Sequence, residues 1–188
     1  MRRIFRLLLV LTTLAACGGA ADLDAPPVPL GDFNLVHNIV VASKAQKGGP
    51  ISRAATEEQL TEAVQSAIAA RFDRYDGARD YHFGVSVEGY ILAQPGIPLV
   101  LAPKSGLIIR VTVWDDAAGK KLNDPPEEIM VLETFGTGAI IGSGYTLTAE
   151  EQLEQLAQNA AKAIERFLVQ QMDEDGWFKG ARAESQSG

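Results

Sequence analysis

Leu107-Ile108-Ile109-Arg110-Val111-Thr112-Val113-Trp114 is the run on which the fold turns, because β-branched and aromatic residues crowd it. On its downstream side, Asp115-Asp116-Ala117-Ala118-Gly119 carries turn chemistry. Lys120 to Asn123 then leaves room for a brief pairing before Pro125-Pro126 interrupts it, and Glu128 to Thr134 reads as a returning strand. Upstream, Tyr81, Phe83, Val85 and Val87 alternate with His82, Gly84, Ser86 and Glu88, the period of a half-buried strand that continues toward Ala93. Together these segments predict an antiparallel meander.

Helical signals flank the meander on both sides. Thr148-Ala149-Glu150-Glu151 has the spacing of a capping box, and Leu153, Leu156, Ala157, Ala160, Ile164, Phe167 and Leu168 follow it as one apolar stripe. Thr56-Glu57-Glu58-Gln59 repeats the device ahead of Leu60, Val64, Ala67, Ile68 and Phe72, with an end expected before Asp76-Gly77. Before that helix, Phe33 to Val41 alternates as a strand, with Phe33, Leu35, Ile39 and Val41 expected on one face. The order strand, helix, strands, helix predicts an α+β fold: a mixed, largely antiparallel sheet of about four to five strands. Two amphipathic helices should cover one face, since each has a single stripe to bury.

The chain opens differently. Arg2, Arg3 and Arg6 precede Leu7-Leu8-Leu9-Val10-Leu11-Thr12-Thr13-Leu14, an apolar run too short to cross a bilayer as a helix but right for the core of an export signal. It ends in Leu14-Ala15-Ala16-Cys17, and Cys17 is the one cysteine of the chain. That tetrapeptide resembles the bacterial lipobox. The resemblance implies removal of residues 1–16, a diacylglyceryl group on the Cys17 thiol and, for this family, usually three acyl chains. Each buried methylene then contributes about 0.8 kcal/mol, so several chains hold firmly where one holds weakly. Gly18 stands where aspartate marks inner-membrane retention in enterobacteria, so the resemblance implies forwarding to the outer membrane, where the chain is expected to face the periplasm. The alternative is an ordinary secretory leader cut nearby. From 17 to 31 the chain is small and proline-rich, including Ala25-Pro26-Pro27-Val28-Pro29, and is expected to be a lipidated N-terminus with a flexible tether. A single domain over 32–178 and a disordered tail over 179–188 complete the expected organisation.

Composition narrows the partners. The formal charge of −7 becomes −10 once the three leader arginines are gone, and no basic cluster is evident in the sequence. No nucleic acid is expected, and membrane affinity should come from the lipid rather than from the protein surface. No cysteine remains for a disulfide, so packing must carry stability in an oxidising compartment. His37 and His82 are the two histidines; their spacing gives no metal motif, and neither metal nor cofactor is expected.

In element order and size the body resembles small α/β domains of envelope lipoproteins, such as the amino-terminal domain of TolB, the curli secretion lipoprotein CsgG and the penicillin-binding-protein activator LpoB. The strand, Asp115-to-Gly119 turn and following strand also resemble uncharacterised alphaproteobacterial lipoproteins. The resemblance implies an envelope address; no motif carries an activity across. Gly136 to Gly144 is glycine-rich, yet no Lys-Ser/Thr follows it as a phosphate-binding loop requires. Ser143 lacks the G-x-S-x-G setting of a hydrolase nucleophile, because position 141 is Ile. No catalytic set emerges, and the chain is not expected to be an enzyme. Ala93 to Gly106 is an unusually long apolar connection between strands. Its Ile97, Leu99, Val100 and Leu101 are candidate partner-binding residues, unless the segment folds back as a buried edge. The expected function is a lipid-anchored envelope protein that presents its domain to an envelope protein partner in assembly or transport. A carrier of a small apolar ligand and an envelope hydrolase are the alternatives.

Overall fold

A computed structural model describes residues 22–94, 105–133 and 147–179. The elements run β1 (Phe33–Val41), β2 (Gln46–Lys47), α1 (Glu57–Phe72), β3 (Arg79–Ile91), β4 (Gly106–Asp115), β5 (Lys120–Lys121), β6 (Glu127–Leu132) and α2 (Ala149–Glu174). The sheet is mixed and open, with β3 at its centre. β1 and β2 lie parallel to β3 on one side; β4 is antiparallel on the other and in turn pairs antiparallel with β5 and β6. The helices pack on each other, α1 over β1 and α2 over β4 and β6, so both cover one face as their single stripes require. Six strands stand where four to five were expected. β2 and β5 are two residues each, too short to leave a period-two pattern in the sequence.

Both capping boxes form. Thr56 Oγ1 accepts from the Gln59 N–H at 3.1 Å while Gln59 Oε1 accepts from the Thr56 N–H at 2.8 Å. Thr148 and Glu151 do the same at 3.1 and 2.7 Å. The buried side of α1 holds Leu60, Val64, Ala67, Ile68 and Phe72, as expected, and also Arg71. On α2 the stripe is buried except for Phe167, which is half-exposed and meets Trp177 edge to face at 5.7 Å. Glu165 is buried beside the stripe.

One expected face is wrong. In β1 the register against β3 shifts between Leu35 and His37, leaving Val36 as an extra residue. Such a bulge reverses the parity of every later side chain. Phe33 therefore points into the core at 1 % exposure, but beyond the bulge Val40 is buried while Ile39 and Val41 face outward. The same device sits at Glu88 in β3, where inward positions pass from Tyr81, Phe83, Val85 and Val87 to Tyr90 and Leu92. The free edge of β1 is partly sealed by α1. Gln65 Nε2 donates to the Asn38 carbonyl at 2.8 Å, and Asn38 Nδ2 returns to the Gln65 carbonyl at 2.9 Å.

Candidate functional site

The domain has two poles, set by the direction of β3. Its thirteen residues span roughly 40 Å at about 3.3 Å each. At the pole where β3 begins lie the end of α1, the end of α2 and the first described residues. At the opposite pole lie the end of β3, the start of β4, the end of β6 and the start of α2.

The first pole is closed by a strap. The 17–31 stretch was expected to be a free tether, yet from Asp22 onward it is held against the body. Arg71 is 2 % exposed and donates to Glu165 at 2.9 Å and to Asp22 at 2.8 Å. Tyr75 Oη donates to the other Glu165 oxygen at 2.9 Å, and Lys162 pairs with Asp22 at 3.0 Å. Arg74 donates to the Leu23 and Ala25 carbonyls, and the strap ends with Leu30 buried and the Asp32 N–H bonded to the Phe178 carbonyl. Burial of Arg71 disfavours its charge, but the hydrogen bond to Asp22 and the charges of Glu165 and Asp22 outweigh this and raise its pKa. Burial, followed by the bond to Glu165, raises that of Tyr75.

Asp22 is held well below the usual carboxylate range, chiefly by its bond to Arg71 and then by Lys162, with desolvation opposing. A carboxyl depressed in the folded state adds stability above its unfolded value of about 3.9 and loses it as pH falls below that value toward the folded one. Urea midpoints of the wild type should therefore fall as pH is lowered from about 4 toward 2. Asp22→Asn should be less stable at neutral pH and flatten that acid limb; an unchanged limb would mean that other carboxylates account for it.

The second pole gathers the stems of two segments. The Ala93 N–H bonds to Ser105 Oγ at 3.1 Å, and the Glu133 N–H bonds to the Ser105 carbonyl at 2.9 Å. Both Arg53 Nη atoms donate to the Leu147 carbonyl, at 3.1 and 3.2 Å. Thus 95–104 and 134–146 leave and rejoin the domain side by side. Their stems enclose buried Glu133 and Gln152, whose Oε1, and for Gln152 also Nε2, have no partner among the described residues. Burial lowers the pKa of Arg53, against the charge of Glu133.

The residues singled out in the sequence fall unevenly on this geometry. Cys17, Ile97, Leu99, Val100, Leu101 and the Gly136–Gly144 loop with Ser143 lie outside the described residues. His37 and His82 are brought together on the face away from the helices, rings 4.9 Å apart and nearly parallel, with His82 Nε2 3.0 Å from Asp116 Oδ1. Among the described residues no group of three His, Cys, Asp or Glu is placed to hold a metal. Asp115 and Asp116 serve the turn: Asp115 Oδ1 accepts from the Ala118 N–H, and the Asp116 carbonyl accepts from the Gly119 N–H, with Gly119 at φ 61°.

Sequence reasoning missed Arg71 and Glu165. A signal was present, because Arg71 stands three residues after Ile68 and Glu165 three before Leu168, so each falls on its helix's apolar stripe. Two opposite charges on two facing stripes imply a buried pair. A groove of about 530 Å³ opens beside this pair between α1 and α2, with Ala63, Ala67, Leu153 and Leu23 as its apolar lining and Glu62 and Glu154 among its carboxylates. A second hollow, of about 660 Å³, lies at the strap pole between the start of β3, the β4–β5 turn and the segment after α2. Both open on the surface.

No family model matches the chain, and no curated protein matches it. Among solved structures it is similar to the PelC dodecamer from Paraburkholderia phytofirmans, at 10 % identity and a TM-score of 0.37 over 73 % of this chain and 92 % of that one. It is also similar to a minor lipoprotein from Acinetobacter baumannii, at 14 % identity and a TM-score of 0.31 over 78 % of this chain and 96 % of the other. Likenesses at this level assign this chain neither a family nor an activity.

Proposed function

We propose that the chain is a lipoprotein of the bacterial cell envelope, acylated at Cys17, held at the periplasmic face of the outer membrane and non-enzymatic. It presents its α+β domain to a protein partner in envelope assembly or transport. The observation that supports this reading is the separation of the two poles. Only five residues lead from Cys17 to Asp22, at most roughly 17 Å of extended chain at about 3.4 Å each. The strap therefore brings its own pole close to the headgroups. The stems of the 95–104 segment lie roughly 40 Å away along β3. Ile97, Leu99, Val100 and Leu101 thus belong to a segment whose two ends are rooted at the pole farthest from the anchor.

Crosslinking in living cells, followed by purification and mass spectrometry, tests the reading when intact chain is compared with Cys17→Ser and with Leu99→Ser/Leu101→Ser. The intact protein should carry acyl mass, fractionate with outer membranes and capture a partner. Cys17→Ser should lose all three, and the double serine variant should lose the partner while keeping acyl mass, fractionation and thermal stability. An unchanged mass and fractionation for Cys17→Ser would overturn the anchor. Loss of thermal stability in the double variant would show that those leucines belong to the core.

A further inference from the structure

We propose that the hollow at the strap pole is a binding site for a phosphate group. Its walls come from three places far apart in sequence: Arg79 and Tyr81 at the start of β3, Lys120 and Lys121 on β5, and Trp177 to Lys179 after α2. In a chain whose formal charge is −7, this hollow sets four cations against two carboxylates, Asp115 and Asp175. Asp115 is already committed to Arg79 at 2.8 Å and to the turn, while Asp175 caps α2 only through its backbone N–H, so Lys120, Lys121 and Lys179 face one uncommitted carboxylate. Lys120 stands opposite buried Asp115 in the ladder with β4 and so shares the inner face. Lys179 folds back over Gly176, where a side chain would put a carbon 2.7 Å from the ammonium nitrogen.

The backbone after α2 carries one residue in an unusual conformation. Whereas Gly176 at φ 73° is the ordinary left-handed glycine just past a helix end, Phe178 adopts φ 61°, a left-handed conformation that bulky residues rarely take. Such geometry persists where its surroundings over-determine it, and it gathers at ligand clamps. Here the Phe178 ring is buried against Phe33 and Tyr81, its carbonyl accepts from the Asp32 N–H, and Arg79 Nη1 donates to the Lys179 carbonyl at 3.2 Å. The Arg79 guanidinium lies 6.0 Å from the Tyr81 ring centre. Arg79 thereby links the start of β3 to the end of β4 and to the segment after α2, while Lys120 and Lys179 line the hollow with no ion pair among the described residues. A dianionic phosphate suits two such donors, since charge-assisted hydrogen bonds are about twice as strong as neutral ones. The phosphate could be borne by a soluble compound or by a lipid headgroup.

The site can be read directly, because Trp177 lines it while Trp114, the other tryptophan, lies on the uncovered sheet face. Full-length protein carrying Cys17→Ser, which removes any acyl anchor from the measurement, is titrated with inorganic phosphate while tryptophan fluorescence is followed. A saturable change is expected that weakens with added salt, disappears in Trp177→Phe and loses about tenfold in affinity in Lys120→Ala/Lys179→Ala. Lys120→Arg/Lys179→Arg should retain it. Flotation with phosphatidylcholine vesicles, with and without phosphatidic acid, separates the sources: capture by the acidic vesicles alone assigns a lipid headgroup, and phosphate binding without capture assigns a soluble phosphate compound. Absence of saturable binding to both probes, or equal binding by the alanine variant, overturns the proposal. Because the anchor is already absent, this outcome is independent of whether Cys17 is acylated.

Discussion

Arg71→Ala should cost about 3–5 kcal/mol of folding stability, seen as a large fall in the urea midpoint, because it strands a buried carboxylate. Glu165 is 3 % exposed and loses its cation, keeping only the Tyr75 hydroxyl among the bonds described above. Taking such a group out of water is costly, and the pair repays that cost only while both charges are present. Asp22 is in a different position: at 35 % exposure it retains water and Lys162. Most of the expected loss therefore resides in Glu165, which yields a second result. Replacing the buried cluster with apolar groups of similar size, as Arg71→Met/Glu165→Leu/Tyr75→Phe, should recover most of the stability while leaving the strap without its main anchor. A single substitution costing less than about 1 kcal/mol would mean that water reaches Glu165 and that the pair behaves as a surface salt bridge.

What the sequence reveals depends on how local the cause is. Both capping boxes are four-residue devices, and both helices begin where Thr56 and Thr148 place them. The alternation of Tyr81 to Val87 is likewise a property of consecutive residues. A bulge is not, since Val36 is apolar and nothing in its neighbours announces that it will be skipped; its effect on Ile39, Val40 and Val41 appears only once β3 supplies a register. β2 and β5 need a partner strand to exist at all. The same reasoning separates the sites. Cys17 is recognisable because the lipobox is contiguous. The strap has the sequence of a tether, because Ala25 to Pro29 has the composition of one, while the residues that hold it, Arg71 and Arg74, are some fifty positions away. The phosphate hollow draws its cations from residues 79, 120, 121 and 179, so an acidic sequence with no basic run can still fold into a basic site.

Phe33→Ala should be as damaging as Arg71→Ala, costing about 3–5 kcal/mol, for a reason that concerns packing rather than charge. The Phe33 ring lies 5.0 to 6.1 Å, centre to centre, from Phe72, Tyr75, Tyr81, Phe83 and Phe178. It thus joins β1 to the end of α1, to β3 and to the segment after α2. Truncation removes five aromatic contacts, each worth about 0.5–1.5 kcal/mol beyond buried area, and opens a cavity that neighbours tied to three elements cannot easily fill. Phe33→Leu should lose less, because it keeps most of the volume. The damage should also be uneven across the molecule. The Asp32 N–H bonds to the Phe178 carbonyl at 3.0 Å, so loosening Phe178 should speed hydrogen exchange at Asp32 and, with it, at residues 176–179. The cap at Thr148 and Glu151, at the other pole, should keep its wild-type exchange rate. Uniform acceleration across both poles would show that the aromatic cluster stabilises the domain as a whole. Acceleration confined to the strap pole would show that Phe33 holds the positive-φ turn, and with it the cation wall of the hollow, in place.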